Sequence, residues 1–265
     1  MKVRRPALDF AKSLPLWMKD REFCHILNAS SVVIMQLEPY LNKVMLRART
    51  MLPSDDPLQP DLKTFVQQET AHCQLHARYN RALYEAGYDR LKSFEAAIGA
   101  DYERFLDTKS MRFNLGYCQG FECLGPLYAE LIFEGLDDLY EGGDQQVIHL
   151  WKWHLAEEYE HRMVAHDTYY RLGGNWLHRL YSTFTTLRHL KKYSGMIAAH
   201  MLKVDRAGMS PDAVRQSRRA AKRARRRLAW FLLPRFLPLL SPFYTPARHR
   251  SPDGLHSYLG EALPI

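Results

Sequence analysis

The chain has 265 residues, 46 % of them hydrophobic and 25 % charged, with a formal net charge of +8. That length suits one large core with a C-terminal appendage. No fixed-period repeat is present, which excludes a solenoid, and the cysteines (Cys24, Cys73, Cys118, Cys123) contain no Cys-x-x-Cys pair, which argues against a structural zinc site. The charge is concentrated: Asp212 to Arg227 holds eight Lys or Arg and one acid, so the remaining 249 residues sum to about +1. The basicity therefore belongs to one segment, and a nucleic-acid role for the whole chain is not expected. Met1 to Phe10 is basic, short and interrupted by Pro6, with no apolar stretch of the signal-peptide kind. A cytoplasmic protein with free thiols is the expectation.

The first expected helix spans 20–51, with Ile26, Val33, Ile34, Leu37, Leu41 and Val44 at helical spacing. It closes before the breaker cluster Pro53-Ser54-Asp55-Asp56-Pro57. The second spans 60–87, opened by Pro60-Asp61 and stopped by Gly87. A connection follows with a short helix around 94–98. A third helix is expected over 109–140, a fourth over 145–171 and a further one over about 175–205. Ser210-Pro211-Asp212 reads as a helix start, with Ser as N-cap, Pro in the first turn and Asp at the positive end of the dipole. The apolar run from Leu228 to Leu240 contains Pro234, Arg235 and Pro238, and is shorter than the roughly 20 apolar residues of a spanning helix. The expected division is an N-terminal extension over 1–19, a helical body over 20–206 and a basic, then apolar, appendage over 207–265.

Two of these helices carry Glu-x-x-His: Glu69-Thr70-Ala71-His72 and Glu158-Tyr159-Glu160-His161. Residues three apart share a helix face, so each pair can offer a carboxylate and an imidazole to one ion. The two intervening helices each offer a carboxylate in apolar surroundings, Glu38 and Glu122. An ionised carboxylate buried without a partner is costly, and a metal is a natural partner. The order Glu, Glu-x-x-His, Glu, Glu-x-x-His on four successive helices is the ligand pattern of di-iron and di-manganese carboxylate bundles. The expected fold is therefore all-α, a ferritin-like four-helix bundle with additional C-terminal helices. The expected ligands are Glu38, Glu69, His72, Glu122, Glu158 and His161, binding two metal ions, iron first, manganese or zinc as alternatives. A single Glu-x-x-His would be ordinary surface decoration; two, with a carboxylate on each intervening helix, are hard to reach by accident. Pro39 after Glu38 is expected to kink the first helix. His76 and His154 share the ligand faces and are candidates for extra ligands, outer partners or core histidines. Asp167 is a candidate to orient a ligand imidazole. Glu157 and Glu160 are expected to face solvent.

At these residues the sequence resembles the ferritin-like family called predicted metal-dependent hydrolases. The matching stretches are Asn28-Ala29-x-Ser31 leading to Glu38, Glu69-x-x-His72-x-x-x-His76 followed by Tyr79-Asn80, and Trp153-His154-x-x-Glu157-Glu158-x-Glu160-His161 followed by Val164-Ala165-x-Asp167-x-Tyr169. A fainter echo lies at Phe243-Tyr244-Thr245-Pro246-x-x-His249. The resemblance implies a di-metal site on the ligands named above. The chain departs from the family pattern at Leu37-Glu38-Pro39, where Gly-Glu-Arg is usual, at Cys123, where a His is usual, and at His166, where a Phe is usual.

Two chemistries follow from such a site. The ligand set favours oxygen-dependent oxidation of an apolar or aromatic small molecule at a di-iron centre; no electron-donor motif is visible, so electrons would come from an external donor or the substrate. The alternative is di-metal hydrolysis of an ester or similar bond. A third reading is a non-catalytic metal-binding or iron-handling bundle. The segment 212–240, cationic and then apolar, suits peripheral contact with the inner face of an anionic membrane. A solvated helix whose apolar end packs on the body is the plain alternative, and nucleic acid the weaker rival.

Overall fold

Asp20 caps the first helix by accepting the Phe23 N–H at 2.8 Å, and α1 then runs from Arg21 to Met51. In this computed structural model, which describes residues 1–261, the chain is all-α, with no strand among the described residues. The helix α1 continues through Pro39, where a kink was expected. Pro39 withdraws one backbone donor, but the turns on either side remain tied by the buried apolar face of α1, from Phe23 to Ala48.

Helix α2 (Gln59–Glu85) lies along α1. The connection after it holds α3 (Leu91–Thr108), far longer than the short helix expected there. Leu91, Phe94, Ile98, Tyr102 and Phe105 recur at steps of three and four and all are buried, facing α1. Gly99 and its small neighbour Ala100 disguise this pattern; Gly99 sits against Gln36 of α1.

The single helix expected over 109–140 is three: α4 (Met111–Glu122), α5 (Gly125–Glu134) and α6 (Asp137–Tyr140). Pro126 explains the first break, because it lacks the N–H and its ring clashes with the preceding turn, so it serves in the first turn of a new helix. The fourth expected helix is also divided, into α7 (Gln145–Glu160) and α8 (Val164–Arg171). No proline marks this break. It is fixed tertiarily: Arg162 donates to the Tyr159 carbonyl and to Pro246 O, and the Tyr159 hydroxyl donates to His249 O at 2.9 Å. The stretch 244–249 thus braces the turn after α7.

Helix α9 (Trp176–Arg206) packs along α4 and α1, and α10 (Pro211–Phe236) lies on α1 and α5. Ser210 caps α10, as expected, by accepting the Ala213 N–H. Two short 3-10 turns (Leu237–Leu240, Pro246–Arg248) and α11 (Leu255–Glu261) follow. The first 19 residues form no helix, yet Leu8, Phe10, Trp17 and Met18 are buried against the body, and the Trp17 indole donates to Asn28 Oδ1 at 2.9 Å. All four cysteines are free. No helix among the described residues is long and apolar enough to cross a membrane.

Helices α4 and α9 approach closely through glycine. A Cβ on Gly120 would lie 2.8 Å from Thr186 Oγ1 and 3.0 Å from the Thr183 Cα, which is backbone and cannot step aside. Gly120→Val should therefore cost about 1–3 kcal/mol in urea unfolding. Gly195, on the open side of α9 with nothing within 4 Å of an added Cβ, gives the control: Gly195→Ala should stabilise by about 0.5–1 kcal/mol.

Candidate metal centre

Helix α1 supplies Glu38, and α2 supplies Glu69, His72 and, one turn on, His76. Glu122 is the last residue of α4. Helix α7 supplies His154, Glu157 and Glu158, and His161 stands in the turn that ends it. All of these side chains are buried, none more than 2 % exposed. The breaks after Glu122 and Glu160 thus fall at the site itself. Gly125, just past the first break, makes room: a Cβ there would lie 3.1 Å from Glu158 Oε2.

The donors converge. His72 Nδ1 is 4.0 Å from Glu38 Oε1, 3.8 Å from Glu69 Oε2 and 4.0 Å from Glu158 Oε1. His161 Nε2 is 3.2 Å from Glu69 Oε1, and His154 Nε2 is 3.1 Å from Glu158 Oε1 and 3.7 Å from Glu38 Oε1. Donors each about 2.1 Å from a common ion lie roughly 3–4 Å from one another. Two overlapping groups of four have their ligand atoms within 4.8 Å of one another: Glu38, His72, His154 and Glu158, and Glu69, His72, Glu158 and His161.

Hydrogen bonding supports the same reading. Both oxygens of Glu38 and of Glu69, one oxygen each of Glu122 and Glu158, His72 Nδ1 and His161 Nε2 are buried without a hydrogen-bond partner. None of Glu38, Glu69, Glu122 and Glu158 forms an ion pair with Lys or Arg among the described residues. Orphaned acceptors in this number are costly unless a cation satisfies them. The donor set, carboxylate oxygens with imidazole nitrogens, is one that first-row transition metals take.

A relay of bonds fixes which nitrogen His154 turns inward. Asn80 Nδ2 donates to the Ser31 carbonyl at 3.1 Å, so Asn80 Oδ1 accepts from the Ser31 hydroxyl at 2.6 Å. Ser31 Oγ must then accept from His76 Nδ1 at 2.8 Å, and His76 Nε2 accepts from His154 Nδ1 at 2.9 Å. A neutral His154 therefore presents its Nε2 lone pair to Glu158 and Glu38, an arrangement that a cation between them reconciles. This places His154 in a ligand group and His76 behind it. Glu122, expected as a ligand, belongs to neither group of four; its Oε2 accepts from His161 Nδ1 at 3.0 Å and so orients that ring. Asp167 is half-buried and makes no hydrogen bond or ion pair to any of these side chains among the described residues.

Glu157 is the residue the sequence reading missed. Expected in solvent, it is fully buried and its Oε2 accepts from His72 Nε2 at 3.1 Å, leaving Nδ1 to face the carboxylates. Arg4 from the N-terminal segment holds it, through its backbone N–H at 3.1 Å and its guanidinium at 3.2 Å. The same guanidinium pairs with Glu160 at 2.7 Å, so Glu160 is also engaged. Helical spacing could have flagged Glu157, which stands three after His154 and four before His161; Arg4, 153 residues away, leaves no such signal. Trp153 and Phe65 pack edge-on against His72 and His161, each with ring centroids 4.8 Å apart, which limits rotation of both imidazoles.

Without a cation, burial and mutual repulsion hold Glu38, Glu69 and Glu122 above the ordinary carboxylate value of 4.5. Burial also acts upward on Glu158, but His161, His154 and His72 outweigh it and bring that group down to about 2. Burial opposes a charged His72, yet hydrogen bonds and charge from Glu157 and Glu69 prevail and lift it to about 9. Burial, with like charge from His72, lowers His154 to about 4, and His76 falls well below its ordinary value.

These directions set the pH dependence. A group whose pKa is raised by folding holds more protons folded than unfolded, so stability drops as pH climbs through the raised value. Above 6.5, His76 and His154 are neutral in both states and add no further gain, while His72 and the three raised carboxyls all act downward. Chelator-treated protein should lose thermal stability between pH 6.5 and about 9, and added Mn(II) or Zn(II), which takes up the deprotonated groups, should raise Tm most at the upper end. A metal-induced Tm gain that is flat with pH would place the ion elsewhere. Arg4→Ala should weaken metal affinity by about 10–100-fold in isothermal titration, because it frees the partner that orients His72; Arg104→Ala, an exposed arginine of α3 paired with Asp101, should leave affinity unchanged.

No curated protein and no solved structure matches this chain. A family model described as predicted metal-dependent hydrolase matches residues 2–250, a range that takes in Arg4, every side chain of the cluster and the brace at His249. On a match of that extent, the chain belongs to the predicted metal-dependent hydrolase family.

Proposed function

We propose that the protein is a di-metal hydrolase that cleaves an ester or similar bond in a small, largely apolar molecule. The observation that carries this reading is the set of buried carboxylate oxygens and imidazole nitrogens without partners, spaced as donors around a cation. The family description adds to hydrolysis; oxygen-dependent oxidation rests on the donor set alone.

In this reading Glu38, Glu69, His72, His154, Glu158 and His161 would hold the ions. Bound there, the ions supply Lewis acidity, which activates a water and stabilises the oxygen that leaves. In the net reaction water adds to the acyl carbon, the bond to the leaving oxygen breaks, and the alcohol takes a proton. The bonded chain His154–His76–Ser31 keeps the His154 ring oriented beside Glu158. Glu157, neutralised by Arg4, keeps His72 from turning.

A route for substrate lies between α1 and α2. Met35, Pro39, Asn42, Thr70, Cys73, Gln74 and Ala77 line a groove of about 400 Å³. Its walls include the chain neighbours of Glu38 and His72, namely Pro39 and Cys73. The lining is apolar with a few amide and hydroxyl groups, which suits a small acyl compound.

The test is metal-stripped protein reloaded separately with Zn(II), Mn(II) and Fe(II) and assayed against a panel of aryl and alkyl esters. Hydrolysis that appears with metal and falls at least about a hundredfold in Glu158→Ala and His161→Ala, with helix content retained, is the expected result. If Fe(II) protein instead consumes dioxygen, develops a visible charge-transfer band and cleaves no ester, the site oxidises and this reading is wrong.

A further inference from the structure

Helices α9 and α10 are consecutive and antiparallel. Arg206 of α9 donates to Ser217 of α10 at one end, and Phe184 and Phe236 meet with ring centroids 6.0 Å apart at the other. The inner side of α10 is small and polar or apolar (Ser217, Ala221, Ala224), so the helix sits close on the body. Its outer side carries, at steps of three and four, Arg215, Arg219, Lys222 and Arg226, then Trp230 and Leu233, all exposed. Helix α9 repeats the pattern in reverse direction: Leu177, Tyr181 and Phe184, then Arg188 and Lys191, again exposed. Because the helices are antiparallel, Phe184 adjoins Phe236 at the apolar end of α10, and Arg188 and Lys191 lie about level with Leu233 and Trp230. Trp230 is 72 % exposed, and Phe243, in the stretch that follows α10 and near Arg235 and Pro238, is 78 % exposed.

Of the outward cations Arg215 pairs with Asp212 in the first turn of α10, and the others are not committed to acids among the described residues. Arg227 and Arg235 turn inward to Asp138 and Glu130. Arg219, Lys222 and Arg226 form no ion pair among the described residues.

We propose that this two-helix face docks on an anionic lipid surface, with Trp230, Leu233, Phe184 and Phe243 entering the boundary between headgroups and acyl chains and the cationic end lying on the headgroups. An amphipathic face of this composition binds by buried apolar area together with attraction to anionic lipid. A second copy of the chain does not suit it, since pairing like faces brings the cationic ends toward one another or sets them against apolar surface. Nucleic acid would engage the cations but give Trp230, Leu233 and Phe243 no apolar medium. Lipid answers both halves at once, and the inference is independent of the reaction at the metal centre.

The test is co-sedimentation of the full chain with vesicles of phosphatidylcholine alone and of phosphatidylcholine with phosphatidylglycerol. Binding to the anionic vesicles only, weakened by salt, is expected. The R219A/K222A/R226A variant should partition about a hundredfold less, each lost cation lowering binding about fivefold. The W230A/L233A variant should also lose binding, along with the vesicle-induced blue shift of tryptophan emission. Both variants alter exposed positions, and unchanged helix content and metal content verify that they fold. The proposal is overturned by equal or absent binding to both vesicle types. It is likewise overturned if the chain self-associates through Trp230 and Leu233, or if it binds nucleic acid and not vesicles.

Discussion

Five carboxylates, those of Glu38, Glu69, Glu122, Glu157 and Glu158, are buried within one cluster, and their repulsion is the constraint to which the rest of the structure answers. In an interior of low dielectric such groups must be protonated, paired or bound to a cation. Among the described residues one guanidinium, that of Arg4, pairs with the cluster, and of the five carboxylates it reaches that of Glu157. His72, held protonated up to about 9 in the absence of metal, offsets part of the remaining charge. The oxygens left without partners mark the charge that a metal would supply.

The architecture keeps these acids together. Long helices α1 and α2 bring Glu38, Glu69 and His72 in from one side. On the other side α4 and α7 both stop at the site, so Glu122 and His161 are presented from helix ends and the turns after them. Each stop is held by something outside the cluster: Pro126 begins the next helix after α4, and the stretch 244–249 accepts hydrogen bonds from the Tyr159 and Arg162 side chains at the end of α7. That bracing gives a physical reason for the weak motif near residue 245, which makes no direct contact with the carboxylates. The N-terminal segment acts likewise, since Arg4 fixes Glu157, and Glu157 fixes the ring orientation of His72.

The periphery follows a separate logic. The residues outside 212–227 sum to a charge of about +1, while the excess cationic charge of the chain is gathered on α10. Arg227 and Arg235 of α10 are paired with acids of the body, while Arg219, Lys222 and Arg226 form no ion pair among the described residues. Buried cluster and outer face are thus built from different helices, and changes in one need not disturb the other.

The sequence by itself determined the all-α class, the positions of α1, α2, α9 and α10, and the family pattern, because amphipathic spacing, caps and Glu-x-x-His pairs are local properties of a helix. It also placed the six acids and histidines that the fold brings to one cluster. Only the tertiary structure decided how they are arranged: that His154 lies with Glu38, His72 and Glu158, that Glu122 bonds His161, that Asp167 stands apart, and that Glu157 is buried beneath Arg4. The break at Gly125-Pro126 and the amphipathic face of α3 were legible and were read past; the break after Glu160 was not legible, since its brace comes from residues about 85 further along the chain. The division has one cause. Periodicity tells which side of a helix is inward, but hydrogen bonds between segments far apart in sequence decide which atom of an inward side chain remains free to bind.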